Sequence, residues 1–315
     1  MTLTRFAKYA WFVLFYNILV VLWGAFVRAT GSGAGCGSHW PLCNGEVVPR
    51  PEQVETIVEF THRLMSGLAL LSVVALVIWA FRAYPRRHPV RYGAAASLFF
   101  IITESLVGAG LVLFGLVADN ESTARALAMS VHLINTFLLL ASIALTAWWA
   151  SGMDPIELQG RTWLVWALRA GLLLVMVIGV SGAITALGDT LYPASSLGEG
   201  LRQDFDPTTS LLIRLRVWHP LISILTGVYL LVVSRLLRLE ETNSRVARLG
   251  RALETLVIVQ LAAGFLNVFL LAPVWMQLVH LLLADLVWLS LVLLSASVRA
   301  VPVPHFEAVP QQAQI

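Results

Sequence analysis

Charge is what this chain has least of. Only 12% of its 315 residues are charged, 58% are hydrophobic, and the mean hydropathy is +0.80, whereas soluble domains carry roughly 25% charged residues. That scarcity excludes a soluble globular protein and marks an integral membrane protein. The net charge of +3 makes no case for nucleic acid, because the basic residues fall in short loops between apolar runs. Cysteine is scarce too: Cys36 and Cys43 lie in one loop. Arg5 and Lys8 precede the first apolar run as in a signal peptide, yet no convincing small-residue cleavage site follows it. The run therefore reads as a retained span. A long Arg/Ser-rich leader is also lacking, which argues against an imported organelle precursor.

At about 20 apolar residues per crossing, eight spans are expected. They run over Tyr9–Val27, Phe60–Phe81, Tyr92–Val117, Ala126–Ala150, Trp163–Leu187, Leu215–Leu237, Leu253–Leu271 and Val274–Val298. Only helices and closed barrels satisfy the backbone in lipid, and runs of this length are helices. Of the Lys and Arg residues, 14 fall at one set of span ends, from Arg5 and Lys8 to Arg299, and 7 at the other. The positive-inside rule then predicts that the first set, with both termini, faces the cytoplasm. The loop from Gly31 to Cys43 faces outward, where an oxidising environment permits a disulfide; two free thiols are the alternative.

A weak internal repeat is visible. Gly24-Ala25 pairs with Gly182-Ala183, His62 with His219, Glu104-x-x-x-Gly108 with Gln260-x-x-x-Gly264, and His132 with His280. The separations are 158, 157, 156 and 148 positions, near-constant until a shorter final loop. Four spans per repeat give both halves one orientation, so the expected fold is all-α: two pseudo-symmetric four-helix bundles in a parallel repeat. The halves are residues 1–155 and 156–299, with residues 300–315 read as a disordered cytoplasmic tail.

Glu59-Phe60-Thr61-His62-Arg63 opens the second span. Ionisable residues at a membrane edge are costly and are functional candidates by default. In an up-down-up-down bundle the second and fourth helices face each other across the core. Both start on the outer side, which brings His62 opposite His132, and His219 opposite His280. Two imidazoles per iron make a six-coordinate haem site. A lone membrane histidine more often hydrogen-bonds a neighbouring helix, but four at matching positions favour ligation. Zinc is the weaker alternative, since each half lacks the further thiolate or carboxylate of a closed zinc site. Arg63 and Arg216, beside the histidines, suit haem propionates, because guanidinium presents a planar fork to carboxylate; snorkelling to the interface is the bland reading. Glu59 has no carboxylate counterpart in the second half, where Arg216 stands three residues before His219.

The stretches Gly24-Ala25-Phe-Val-Arg28-Ala-Thr30-Gly31-Ser-Gly-Ala-Gly-Cys36, Trp40-Pro41-x-Cys43-x-Gly45 and Glu59-x-x-His62-Arg63 resemble haem A synthases of the bacterial, cysteine-pair-containing type. Gly188-Asp189-Thr190-Leu-Tyr-Pro193 and Trp218-His219-Pro220 resemble the family in the second half. The resemblance implies oxidation of a methyl substituent of haem O to a formyl group, giving haem A for terminal oxidases, by successive hydroxylation and loss of water. It implies haem b held by His219 and His280 as the entry for electrons, substrate haem O near His62 and His132, Glu59 as the essential carboxylate, and a Cys36–Cys43 disulfide. Implied partners are the lipid bilayer of a bacterial cell membrane, a membrane electron donor, a haem O synthase and oxidase-assembly proteins. The runner-up is a di-haem b-type membrane quinol oxidoreductase; a two-repeat transporter would not explain paired histidines at one depth.

Overall fold

The Thr4 side chain accepts a hydrogen bond from the Ala7 N–H and starts the first helix, and similar caps begin most of the others. His88 accepts from Val90 N, Ser122 from Arg125 N and Asn243 from Arg245 N. Each supplies an acceptor to a backbone donor that the helix's first turn leaves unpaired. The computed structural model describes residues 3–50, 53–159, 161–241 and 243–301. Among them are ten α-helices: α1 (Arg5–Ala29), α2 (Val54–Ala83), α3 (Pro89–Leu113), α4 (Thr123–Ala150), α5 (Thr162–Leu191), α6 (Leu197–Phe205), α7 (Leu211–Arg216), α8 (Trp218–Glu240), α9 (Ser244–Phe269) and α10 (Val274–Ala296). Eight segments are long and apolar enough to cross a membrane, α7 and α8 counting as one of them. The expected all-α membrane class is what the chain adopts.

Boundaries differ from the apolar runs where chemistry other than hydropathy sets them. The third span ends at Leu113 rather than Val117, because Gly115, at φ +63, turns the chain, a conformation glycine adopts without steric cost. The sixth does not start at Leu215: α7 ends at Arg216 and α8 begins at Trp218, with Pro220 in its first turn. Proline has no N–H to return to the preceding turn, which favours a new start there. The seventh begins at Ser244, nine residues before Leu253, as a polar extension carrying Arg245, Arg248 and Arg251. Hydropathy is blind to a helix that continues beyond hydrocarbon. Likewise α2 begins six residues before Phe60, which puts Glu59 well inside a helix, and α5 continues past Leu187 to Leu191.

Two short strands add to the helices. β1 (Ile156–Gln159) pairs in parallel with β2 (Val298–Val301), Ile156 opposite Val298. The ribbon joins the start of the second half to its end. Ala300 and Val301, expected in the tail, belong to it; residues 302–315 lie outside the described residues.

The packing partners form two rings. Helix α1 packs on α2 and α4, and α3 on α2 and α4; α5 packs on α8 and α10, and α9 on α8 and α10. The first ring buries Val13, Leu76, Leu140 and Ile143, and the second Leu168, Leu237, Leu253 and Leu291. Contacts of α4 and α10 join the rings. There the Trp288 ring stacks on Phe137 at 5.1 Å, and its Nε1–H donates to the Phe137 carbonyl at 2.7 Å. Phe12, Phe15, Leu71 and Phe265 point outward and exposed, as lipid-facing side chains do in a membrane-spanning bundle.

Candidate functional site

Each of the four histidines named above is set against a glycine of the neighbouring helix. A Cβ built on Gly24 of α1 would lie 2.9 Å from His62 Cε1, on Gly182 of α5 3.0 Å from His219 Cε1, and on Gly264 of α9 2.9 Å from His280 Cε1. Gly108 of α3 stands off slightly more, at 3.9 Å from His132 Cε1. The glycines are the ones that carry the sequence repeat; three of them exist to let an imidazole ring lie against a helix backbone.

His219 and His280 are brought together, ring centroids 6.5 Å apart and planes at 89°. Their settings differ. Ser181 Oγ lies 2.9 Å from His219 Nδ1, and Gln260 Nε2 3.4 Å from His280 Nε2. In the first ring Glu104 takes the place of Gln260. Its carboxylate lies 3.4 Å from His132 Nδ1, accepts from Asn135 Nδ2 at 2.6 Å, and accepts a short bond from the Thr136 hydroxyl. A carboxylate beside the far nitrogen of an imidazole limits how the ring can turn.

Glu59 is 3% exposed and points into the loop that follows α1. That loop is closed by the Cys36–Cys43 disulfide. The Cys36 N–H donates to Glu59 Oε2 at 2.8 Å, and Arg63 donates to Oε1 through Nε at 3.1 Å and Nη2 at 2.5 Å. The remaining arm of Arg63 reaches the carbonyls of His39 and Leu42, at 2.7 and 2.6 Å, inside the disulfide ring. Thr56 Oγ1 donates to the Gly35 carbonyl at 2.8 Å. Gly35 has no room for a side chain, because a Cβ there would sit 2.3 Å from the Glu55 carbonyl carbon. One clamp thus holds loop, disulfide and carboxylate against the turn that carries His62.

Arg216 is also engaged: it pairs with Asp189 at 2.9 Å and Asp204 of α6 at 2.8 Å. Arg28 crosses between the rings, donating to the Ala186 carbonyl and Thr190 Oγ1 at 2.7 Å each, and to Gln277 Oε1 at 2.8 Å. Asp189, Asp204 and Gln277 were not singled out as site residues from sequence. Asp189 and Thr190 lie within a quoted motif; Asp204 and Gln277 carry no such signal.

Do these residues fit a haem? Among the described residues, no group of three or more His, Cys, Asp or Glu is arranged to hold a metal ion. An iron or other metal held by two imidazoles would take its remaining ligands from outside these residue types. His219 and His280, with ring centroids 6.5 Å apart, are close enough that both would hold one iron. Nδ1 of His62, of His132 and of His280 are buried with no hydrogen-bond partner among the described residues. The residues fit.

The family model for cytochrome oxidase assembly proteins, COX15-CtaA, matches residues 7–292. The chain belongs to this family. Among curated relatives of this COX15-CtaA member, a Thermus thermophilus protein named protoheme IX farnesyltransferase is 55% identical over 294 residues, covering 93% of this chain and 48% of that one. The chain spans about half the length of that relative. A heme A synthase of Shouchella clausii is 45% identical over 98 residues, 31% of this chain and 33% of that one. A heme A synthase of Halalkalibacterium halodurans is 39% identical over 127 residues, 40% of this chain and 42% of that one.

Proposed function

We propose that the chain is a haem A synthase, an oxidoreductase that converts the methyl substituent of haem O to the formyl group of haem A. The observation that carries this is the unequal pair of histidine sites. Both rings seat two histidines against neighbouring helices, but only the first sets a carboxylate, Glu104, beside a histidine nitrogen and another, Glu59, on the histidine's own helix one turn before His62, whereas Asp189 and Asp204 of the second ring are paired with Arg216. Equal sites would suit a plain electron carrier; a carboxylate pair in one of them suits chemistry.

The two rings are read as halves, residues 1–155 and 156–299, related by a pseudo-twofold along the membrane normal. His219 and His280 would hold haem b, which supplies electrons when bound. His62 and His132 would seat the iron of substrate haem O, Glu104 fixing the His132 ring. Glu59, held by Cys36 N–H and Arg63, would handle protons or stabilise charge developing on the oxidised substituent. Arg63 and Arg216 would take propionates, each sharing its guanidinium with a resident carboxylate. The arginine-rich end, with both termini, would face the cytoplasm of a bacterial cell, the cysteine loop lying outside. Partners in this reading are a membrane electron donor, a haem O synthase and oxidase-assembly proteins.

The experiment is haem extraction and chromatography from the purified chain and from Glu59→Ala. The wild type should yield haem B with haem O, haem A or a hydroxylated intermediate. The variant should keep haem B and form no haem A; normal haem A from it would remove Glu59 from the mechanism. Two haem B per chain and nothing else would favour the di-haem quinol oxidoreductase. A second reading comes from the Thermus relative, whose name is a farnesyl transfer. Less than half of that protein aligns with this chain, and we assign the transfer to its other part. Farnesylation of haem B by the purified chain, given farnesyl diphosphate, would reverse that assignment.

A further inference from the structure

The end of the bundle opposite the histidines carries a cleft of about 390 Å³ between α4, α5 and α10, just above the β1–β2 ribbon. Its walls are apolar, with Leu145, Leu172 and Val292 among them, and two tryptophans, Trp149 and Trp166, stand at its edge. The volume falls in the range of small-molecule sites, about 300–1,000 Å³.

Arg169 lines the cleft with its guanidinium 4.7 Å over the Trp166 ring. Among the described residues it has no ion pair and no side-chain hydrogen bond, whereas Arg299, also at the cleft, is bonded to Glu157. Ser295 lines the same cleft, and its buried hydroxyl has no partner among the described residues. An unpaired planar fork of donors over an apolar trough asks for an anion with hydrocarbon attached. Tryptophan marks the interfacial depth at which such molecules present their headgroups, and basic pockets between spans at a cation-rich end attract anionic lipid.

We propose that this cleft binds one anionic phospholipid. Its phosphate sits on Arg169 and within reach of Ser295, and its acyl chains lie along Leu145, Leu172 and Val292. Because α4 belongs to the first ring and α5 and α10 to the second, the lipid joins the two. A redox-active quinone is the less fitting occupant. Trp149 follows His132 by 17 residues, which places the cleft about 25 Å from the histidine level at a rise of about 1.5 Å per residue. The inference stands apart from the haem reading.

The test is native mass spectrometry of the delipidated full-length chain, titrated with phosphatidylglycerol and with phosphatidylcholine of the same acyl chains. One phosphatidylglycerol should bind ahead of phosphatidylcholine. Arg169→Gln, at an exposed position, should weaken that binding about fivefold. Arg86→Gln, in the α2–α3 loop at the same end, should leave it unchanged. Equal binding of the two lipids overturns the proposal. So does wild-type affinity in Arg169→Gln, an equal loss in Arg86→Gln, or stoichiometric displacement by an isoprenoid quinone. Phosphatidylglycerol binding that appears only after removal of residues 302–315 would assign the cleft to this chain's own C-terminal segment, and overturns it too.

Discussion

Replacing Gly182 by alanine separates the stability of the fold from its capacity for haem. The new Cβ would lie 3.0 Å from His219 Cε1 and 3.6 Å from both ring nitrogens. Carbon atoms rest at about 3.5–4.0 Å, so the imidazole has to retreat by about 0.5 Å or more. Ser181, bonded to His219 Nδ1 at 2.9 Å, resists that retreat. Overpacking of this kind costs about 1–3 kcal/mol, or about 5- to 150-fold in the affinity of a group ligated through that ring. The helix itself gains, because alanine is favoured over glycine within a helix by about 1 kcal/mol. Gly182→Ala should therefore lose haem while its haem-free form loses no more than about 2 kcal/mol of stability. Gly264→Ala, with His280 Cε1 at 2.9 Å, should behave alike. Gly67→Ala, whose Cβ meets nothing within 4 Å, and Gly108→Ala, 3.9 Å from His132, are the tolerated controls. Haem per chain by pyridine haemochromogen, the low-spin ferric electron paramagnetic resonance signal, and thermal unfolding of the haem-free chain are the three readouts. A Gly182→Ala protein with full haem b and an unchanged low-spin signal would refute the claim that His219 binds iron against this glycine.

Further outcomes follow from the clamps. Cys36→Ser opens the ring that presents the His39 and Leu42 carbonyls to Arg63, removing about 2–3 kcal/mol of loop constraint; limited proteolysis should nick the loop faster, and haem A yield should fall with haem b retained. Arg28→Gln removes three hydrogen bonds between the rings at about 2–4 kcal/mol, lowering Tm by several degrees in a thermal unfolding assay. Glu104→Gln copies the second ring's Gln260 into the first. Affinity for haem O should drop about 10- to 100-fold in an absorbance titration, with haem b content unchanged.

The eight spans were legible because hydrocarbon tolerates so few alternatives, and the histidines were legible because they recur at matching depth. The disulfide came through the resemblance, and the structure joins the same two cysteines. What hydropathy does not encode is where polar side chains go once loops fold back. Glu59 shares a helix face with His62 by spacing, yet its carboxylate is committed to Cys36 N–H and Arg63. The sequence marks Arg63 and Arg216 as cations suited to propionates, and does not show that each also engages carboxylates of the chain, because a cation near an interface has several anions in reach. Helix α6 left no trace as a span: nine residues with Leu197, Leu201 and Phe205 spaced by four are too short and too polar to register. The glycines were visible as markers of the repeat. Their purpose needed the imidazoles in place.

Arg28 has a consequence for how the chain is made. Its hydrogen-bond partners lie 158, 162 and 249 residues later in the sequence. A ribosome that has delivered α1 to the membrane still has four more crossings to make before Ala186 and Thr190 are in place, and must reach the eighth span, α10, before Gln277 is. Through that interval the guanidinium has only water and lipid headgroups to solvate it, so α1 is free to ride up toward the interface. Closing the ring of acceptors at α5 and α10 draws it to its final depth, and with it Gly24, the floor beneath His62. The depth of Gly24 thus depends on contacts that only α5 and α10 complete.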